Sequence, residues 1–144
     1  MASGSMSGND DQLRLQWAEA RLWLAKATED IEGARILLSG GLSGSAAFHI
    51  QQGTEKILKA LLLAAAQEIN RVHDIGMLSD LARLHWPELI PTPFPLLATN
   101  QWYMVTRYPD IEEEPPAASD VEEALLVLES LLASVLGFVS GAAE

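Results

Sequence analysis

The residues best suited to chemistry stand close together near the middle of the sequence. Four polar side chains are separated by three, four and three positions, and therefore share one face of an α-helix: His49, Gln52, Lys56 and Lys59. Glu55 precedes Lys59 by four positions, a spacing that allows an intrahelical ion pair. The pattern fits either a solvated helix face or a site where two ammonium groups and an imidazole bind a phosphate. The second interpretation needs another basic group from elsewhere in the chain.

Two other segments could complete such a site. His73 and Asp74 precede an apolar run, where Asp74 is also a natural helix N-cap. The other segment contains Tyr103 and the run Arg-Tyr-Pro-Asp at 107–110. An arginine in a last helical turn meets the helix dipole favourably, and proline ends a helix, so this run also has an ordinary structural explanation.

Several common catalytic and metal sites have no counterpart in the sequence. Its three histidines are predicted on separate elements without HxxxH or HExxH spacing, and cysteine is absent. The sequence also contains no Walker motif, no GxGxxG and no GxSxG. We therefore expect no metal and no resident cofactor, with a nucleotide as a candidate ligand.

The elements that position these residues are predicted to be helices. Apolar residues recur every three or four positions almost throughout, which predicts an all-α, up-and-down bundle of four to five helices. The predicted helices span 12–38, 43–68, 75–84, 96–107 and 120–139.

Local sequence predicts how several of these helices begin and end. Gly40 and Gly41 should end the first helix, and the serines at 43–45 offer N-caps for the second. In the third helix, Leu78, Leu81 and Leu84 are expected to face inward. A capping box should open the last helix, formed by Ser119 and Glu122.

The 144 residues suffice for one domain. We interpret residues 1–11 as an expression scar and a disordered N-terminus, 12–140 as the domain and 141–144 as a tail. An acidic, proline-rich linker at 109–118 precedes the last helix.

Charge is distributed unevenly along the chain. Residues 1–109 hold all nine basic side chains and eleven acids, whereas 110–144 hold nine acids and no base. Bulk electrostatic binding of DNA is therefore not expected, and RNA is not an expected partner either, although one local anion pocket remains open.

The last helix is apolar over more than one face. Its acidic flank and its serines favour a buried or interface helix over a membrane span, so we expect no membrane and a cytoplasmic protein. The excess apolar surface predicts a homodimer interface. Its candidate residues are Leu126, Val127, Leu136 and Phe138.

Taken together, these segments resemble the HEPN domain family. The most specific string is AAFHIQQGTEKILKALLL at 46–63, supported in order by 17–38, HDIGMLSDL at 73–81 and RYPD at 107–110. The resemblance implies an up-and-down bundle, commonly dimeric. It also implies a gene neighbour encoding a minimal nucleotidyltransferase, in pairs that act as toxin and antitoxin or handle nucleotides.

The resemblance also turns the polar residues into one candidate nucleotide or anion site. Many family members resemble metal-independent ribonucleases with Arg and His four to six residues apart, but no histidine follows Arg107 here. This departure favours a non-catalytic module over an enzyme. The candidate site comprises His49, Gln52, Glu55, Lys56, Lys59, His73, Asp74, Tyr103, Arg107 and Tyr108. A structural alternative stays open, in which a buried Glu55 pairs with Lys59 or Arg107 to fix the packing of the helices.

Three functions remain open at this point. The leading hypothesis is a non-catalytic nucleotide- or anion-binding module that acts with a nucleotidyltransferase-type partner in a toxin–antitoxin-like system. The second is a ribonuclease toxin or another phosphate-handling enzyme that uses Arg107 with His49 or His73. The third is a pure protein-interaction module.

Overall fold

The computed structural model describes residues 8–68, 72–102, 108–110 and 114–143. In these ranges the chain forms four α-helices and one short 3-10 helix, without a strand, which confirms the all-α fold. The helices are α1 (Gly8–Ser39), α2 (Ser43–Ala64), α3 (Ile75–His85) and α4 (Ala118–Ala143). The 3-10 helix spans Leu97–Gln101.

Helix α1 ends where the glycine pair predicts. Gly41 has a φ of +79°, and the N–H groups of Gly41 and Leu42 bond to the carbonyls of Leu38 and Leu37 at 3.0 and 2.8 Å. These two bonds form a Schellman motif, the usual C-terminal cap of a helix that ends in a left-handed residue. The short turn then lets α2 run back antiparallel along α1.

Helix α2 ends earlier than predicted, at Ala64 and not near Glu68. Ala66 adopts a φ of +62°, and the N–H groups of Ala66 and Gln67 bond to the carbonyls of Leu63 and Leu62. This is a second Schellman motif, with alanine where glycine is usual. The sequence has no glycine here to mark it.

The predicted serine caps are wrong. Helix α2 begins at Ser43 itself, its N-cap is Leu42, and no side chain caps it. Helix α4 begins at Ala118, so Ser119 lies inside the helix and not at the capping-box position. In both cases the serine lies inside the helix, which removes its hydroxyl from the N-cap position.

The core lies where α1, α2 and α4 meet. The apolar residues that recur every three or four positions along α1 form a stripe that is buried from Trp17 to Ala34, as their periodicity predicts. Helix α2 buries 14 of its 22 residues. Helix α4 runs antiparallel to α1. Near the end of α1, Arg35 forms an ion pair with Glu129, whereas earlier in α1 the ring of Trp17 contacts that of Phe138, which lies later in α4. Helix α2 is thus covered on more than one side, so each polar side chain that it buries needs a partner.

Helix α3 is rotated about its own axis relative to the prediction, so that a different face is buried. Leu78 is buried, but Leu81 and Leu84 are 42% and 77% exposed. The inward face consists of Ile75, Leu78, Ser79 and Ala82. The Trp86 indole at the end of α3 donates to the Leu61 carbonyl at 2.8 Å, which fixes this rotation against α2.

The connector after α3 contains the 3-10 helix where a longer α-helix was predicted. Thr99 bonds through both its N–H and its hydroxyl to the Leu96 carbonyl, three residues back. That spacing is the 3-10 pattern and it competes with α-helical bonding. The remainder of the predicted helix, residues 103–107, lies outside the described residues.

Within the part of the chain described, one helix is long and apolar enough to cross a membrane. It is the Ala118–Gly141 portion of α4, and 39% of its most apolar window is buried inside the fold. Length and composition alone are weak criteria, because a core helix of a bundle also meets them.

Candidate functional site

Helix α2 carries charged side chains into the interior of the bundle. Glu55 and Lys59 are only 7% and 5% exposed, and Gln51 is 2% exposed. Burying a charge is costly unless an opposite charge and hydrogen bonds compensate it. The partners of these charged side chains therefore indicate whether they stabilise the packing or are available to a ligand.

The first cluster joins α2 to α1 through Asp30. The Asp30 carboxylate contacts His49 Nδ1 at 2.9 Å and Lys56 Nζ at 2.5 Å. Asp30 is 8% exposed. Because one carboxylate holds both basic groups, His49 and Lys56 are engaged in helix packing. We call these three residues the Asp30 cluster.

The second cluster joins α2 to the chain that leads into α3. Glu55 Oε2 lies 3.2 Å from Lys59 Nζ and 3.2 Å from His73 Nδ1. Lys59 Nζ is 3.4 Å from the same imidazole nitrogen and 5.9 Å from the centre of the Trp23 ring. We call Glu55, Lys59 and His73 the Glu55 cluster.

The two members of the Glu55 cluster on α2 are buried, but His73 is not. Its side chain is 69% exposed, whereas that of Glu55 is 9% exposed. A buried carboxylate thus holds an imidazole at the protein surface. This arrangement orients the ring, and in the tautomer that carries its hydrogen on Nδ1 the imidazole donates to the Glu55 carboxylate.

Asp74 performs the predicted N-cap role. Its Oδ1 accepts from the Met77 N–H at 2.9 Å, and its Oδ2 accepts from Asn100 Nδ2 at 3.1 Å. These bonds, first the one from Met77 and then the one from Asn100, lower the pKa of Asp74. Asn100 Oδ1 also accepts from the Ile75 N–H, so the 3-10 helix is tied to the start of α3.

The predicted constellation is therefore brought together only in part. His49 and Lys56 meet at Asp30, whereas Lys59 and His73 meet at Glu55. Gln52 donates to the neighbouring Gln51 side chain at 2.7 Å and belongs to neither cluster.

The remaining predicted site residues come from the segment after the 3-10 helix. Tyr108 is 43% exposed. Tyr103 and Arg107 lie outside the described residues.

A model of the HEPN domain family matches residues 20–138. This range contains α2 with both clusters, α3, and nearly all of α4. The chain belongs to the HEPN domain family. No curated protein matches the sequence.

Three residues of this HEPN domain were missed by sequence reasoning. Asp30, Trp23 and Asn100 each contact a predicted site residue. Trp23 and Asp30 lie at helical spacing with the core alanines 27 and 34, so a polar residue in a core stripe was the available sign for Asp30. The role of Asn100 depends on how the connector folds back, which has no local sequence pattern.

The described residues of the HEPN domain contain no group of three or more His, Asp or Glu side chains able to hold a metal ion.

The predicted interface residues on α4 have different surroundings. Leu126 and Leu136 are 67% and 41% exposed. Phe138 instead packs inward, with its ring 5.9 Å from that of Trp17 and 5.2 Å from that of Trp86. Val127 is partly buried against the core.

Proposed function

We propose that this HEPN domain is a non-catalytic interaction module that acts with a protein partner of the nucleotidyltransferase type. The observation that carries the proposal is the pairing of both α2 lysines with acidic side chains, Lys56 with Asp30 and Lys59 with Glu55. These ammonium groups already have counter-charges within the fold. Their first role is to fix the packing of α1, α2 and α3.

Binding a phosphate at Lys59 would work against this packing. The anion would have to replace or join the Glu55 carboxylate, which is 7% exposed. A buried carboxylate without its counter-charge is strongly destabilising. The geometry therefore supports packing over anion binding at this lysine.

The sequence adds support for the non-catalytic assignment. The family members that resemble ribonucleases use Arg and His four to six residues apart, and no histidine follows Arg107 in this chain. That mechanism lacks its proton-transfer partner here. The resemblance also supports the nucleotidyltransferase-type partner, a toxin–antitoxin-like role and the homodimer. The acidic flank and the serines of the last helix support a cytoplasmic location.

Purification of the tagged full-length chain from its own host tests this proposal. We expect a nucleotidyltransferase-type protein to co-purify at a fixed stoichiometry, and cells that express the chain alone to grow normally. Recovery of the chain without any such protein would contradict the proposal.

One observation favours a second candidate, a phosphate-handling enzyme or nucleotide-binding site at His73. This exposed imidazole is held by buried Glu55, and its Nε2 has no partner among the residues described. A carboxylate on Nδ1 leaves Nε2 as the basic nitrogen, which suits a general base. On this hypothesis Arg107 would bind the phosphate, as the sequence suggests.

Growth assays separate the two candidates. A ribonuclease toxin predicts growth arrest on expression, with recovery in His73→Ala and no recovery in His85→Ala. His85 is the matched control, because it is an exposed histidine at the other end of α3. Normal growth with the wild-type chain would exclude the toxin.

A further inference from the structure

The connector and helix α4 border a groove at the protein surface. A cavity of about 380 Å³ lies between the 3-10 region and the first half of α4. A second cavity, of about 220 Å³, lies further along α4. Pro95 and Val127 line both cavities, so the two lie next to each other along α4, and we call them together the α4 groove.

The length of the α4 groove fits a peptide segment. Its lining on α4 extends from Asp120 to Ser134, 14 helical residues apart, which is about 21 Å. That length accommodates roughly six extended residues or four helical turns. A compact small molecule would fill only one of the two cavities.

The walls of the α4 groove are mainly apolar. Pro95, Ala98 and Trp102 form part of one wall near the start of α4, and Val127 faces them. Further along, buried Phe94 and Leu96 underlie the second cavity. Apolar clefts that run beside a helix are typical docking sites for peptide segments.

One end of the groove is acidic. Asp120 and Glu123 line it there, are exposed, and form no ion pair within the described part of the chain. Their neighbourhood contains no compensating charge in sequence, because residues 110–144 hold no Lys or Arg. The far end is lined by the neutral Ser130 and Ser134. A segment with a basic residue at one end therefore complements the groove.

We infer that the α4 groove binds an apolar segment of a partner protein, with a Lys or Arg of that segment between Asp120 and Glu123. The inference rests on the proposed interaction role and adds where the partner binds and by what chemistry. Apolar side chains of the segment cover Val127 and Trp102. The basic group at one end sets the direction in which the segment lies.

Selection from a phage-displayed library of random 16-residue peptides tests this inference. We expect the selected peptides to carry a Lys or Arg beside apolar residues. A synthetic copy should change the amide resonances of Ala98, Ala124 and Ser130 in a 15N-labelled full-length chain. It should also bind less tightly as the salt concentration rises.

Two neighbouring glutamates supply matched variants. Glu123 lines the groove and Glu122 does not, although both are exposed in the same turn of α4. Glu123→Lys should weaken the synthetic peptide at least tenfold, and Glu122→Lys less than twofold. A peptide copy with Glu in place of its basic residue should regain affinity for Glu123→Lys.

Three results would overturn the inference: no enriched peptide, equal effects of the two lysine variants, or resonance changes confined to another surface. Failure of the groove inference and failure of the proposed function give different results. A native partner complex that survives Glu123→Lys would refute the groove while the interaction role stands. Peptide binding to the groove without any co-purifying partner would refute the proposed partner while the groove inference stands.

Discussion

Asp30 of α1 and Lys56 of α2 form an ion pair of 2.5 Å across the interface between these two helices. The same carboxylate also holds His49. The pair is largely shielded from water, with side-chain exposures of 11% for Asp30 and 25% for Lys56. Its role in packing can be measured directly.

Replacing Asp30 by Ala should lower the free energy of unfolding by roughly 2 kcal/mol, because Lys56 and His49 lose their common partner. Chemical denaturation of the two proteins measures the difference. Asp80→Ala is the control, since Asp80 pairs with Arg83 but its side chain is 78% exposed. That variant should stay within about 0.5 kcal/mol of the wild type. Equal losses in both variants would contradict a special role for Asp30.

Ala66→Gly should stabilise the domain by about 0.5–1 kcal/mol. Ala66 holds a left-handed φ of +62°, which glycine adopts without a steric penalty. Ala65→Gly is the control, because Ala65 has a φ of −92° and gains nothing from glycine. The two midpoints of denaturation should therefore move in opposite directions, and a loss of stability in Ala66→Gly would count against the Schellman motif at this turn.

Gly53→Ala should destabilise the domain by about 1 kcal/mol, despite the better helix propensity of alanine. An added Cβ would lie 3.2 Å from Leu128 Cδ2, and Leu128 is fully buried. Gly44→Ala in the same helix is the control, since nothing lies within 4 Å of its added Cβ. That variant should be neutral or more stable. Denaturation curves for the two variants show whether steric crowding against Leu128 outweighs the better helix propensity of alanine at residue 53.

The stabilising effect of Asp74 should depend on pH. Its hydrogen bonds lower its pKa in the folded state below the ordinary value of about 3.9. The contribution is therefore complete above about pH 4 and disappears as the pH falls through the lower folded-state pKa. The difference in Tm between wild type and Asp74→Asn should shrink on acidification from pH 7 to about pH 3. A difference that stays constant over this range would contradict ionised Asp74 as the cap.

The sequence was sufficient to predict the four α-helices, but not the 3-10 helix at Leu97–Gln101 or the helix ends and rotations that tertiary contacts determine. The apolar stripe of α1 and the Asp74 cap follow from local spacing and were predicted correctly. The exposed positions of Leu81 and Leu84 were not, because the rotation of α3 depends on the Trp86–Leu61 bond. No local pattern encodes such a long-range contact.

The candidate site shows the same division. The Glu55–Lys59 pair was predictable from its four-residue spacing. The separation of Lys56 from Lys59 was not, because it depends on Asp30, a residue 26 positions before Lys56 on another helix. Long-range pairs of this kind require the packing of α1 on α2 to be known.

We propose that the charged residues of α2 fix the packing of the bundle and do not bind phosphate. Thermal unfolding tests it most directly, on wild type, Glu55→Gln and Lys59→Met, each with and without inorganic phosphate and a panel of nucleotides. We expect a lower Tm for Glu55→Gln and no ligand-dependent rise for the wild type. A rise of several degrees in the wild type that is lost in Lys59→Met would contradict it, because a ligand at about 100 times its Kd adds roughly 2.7 kcal/mol.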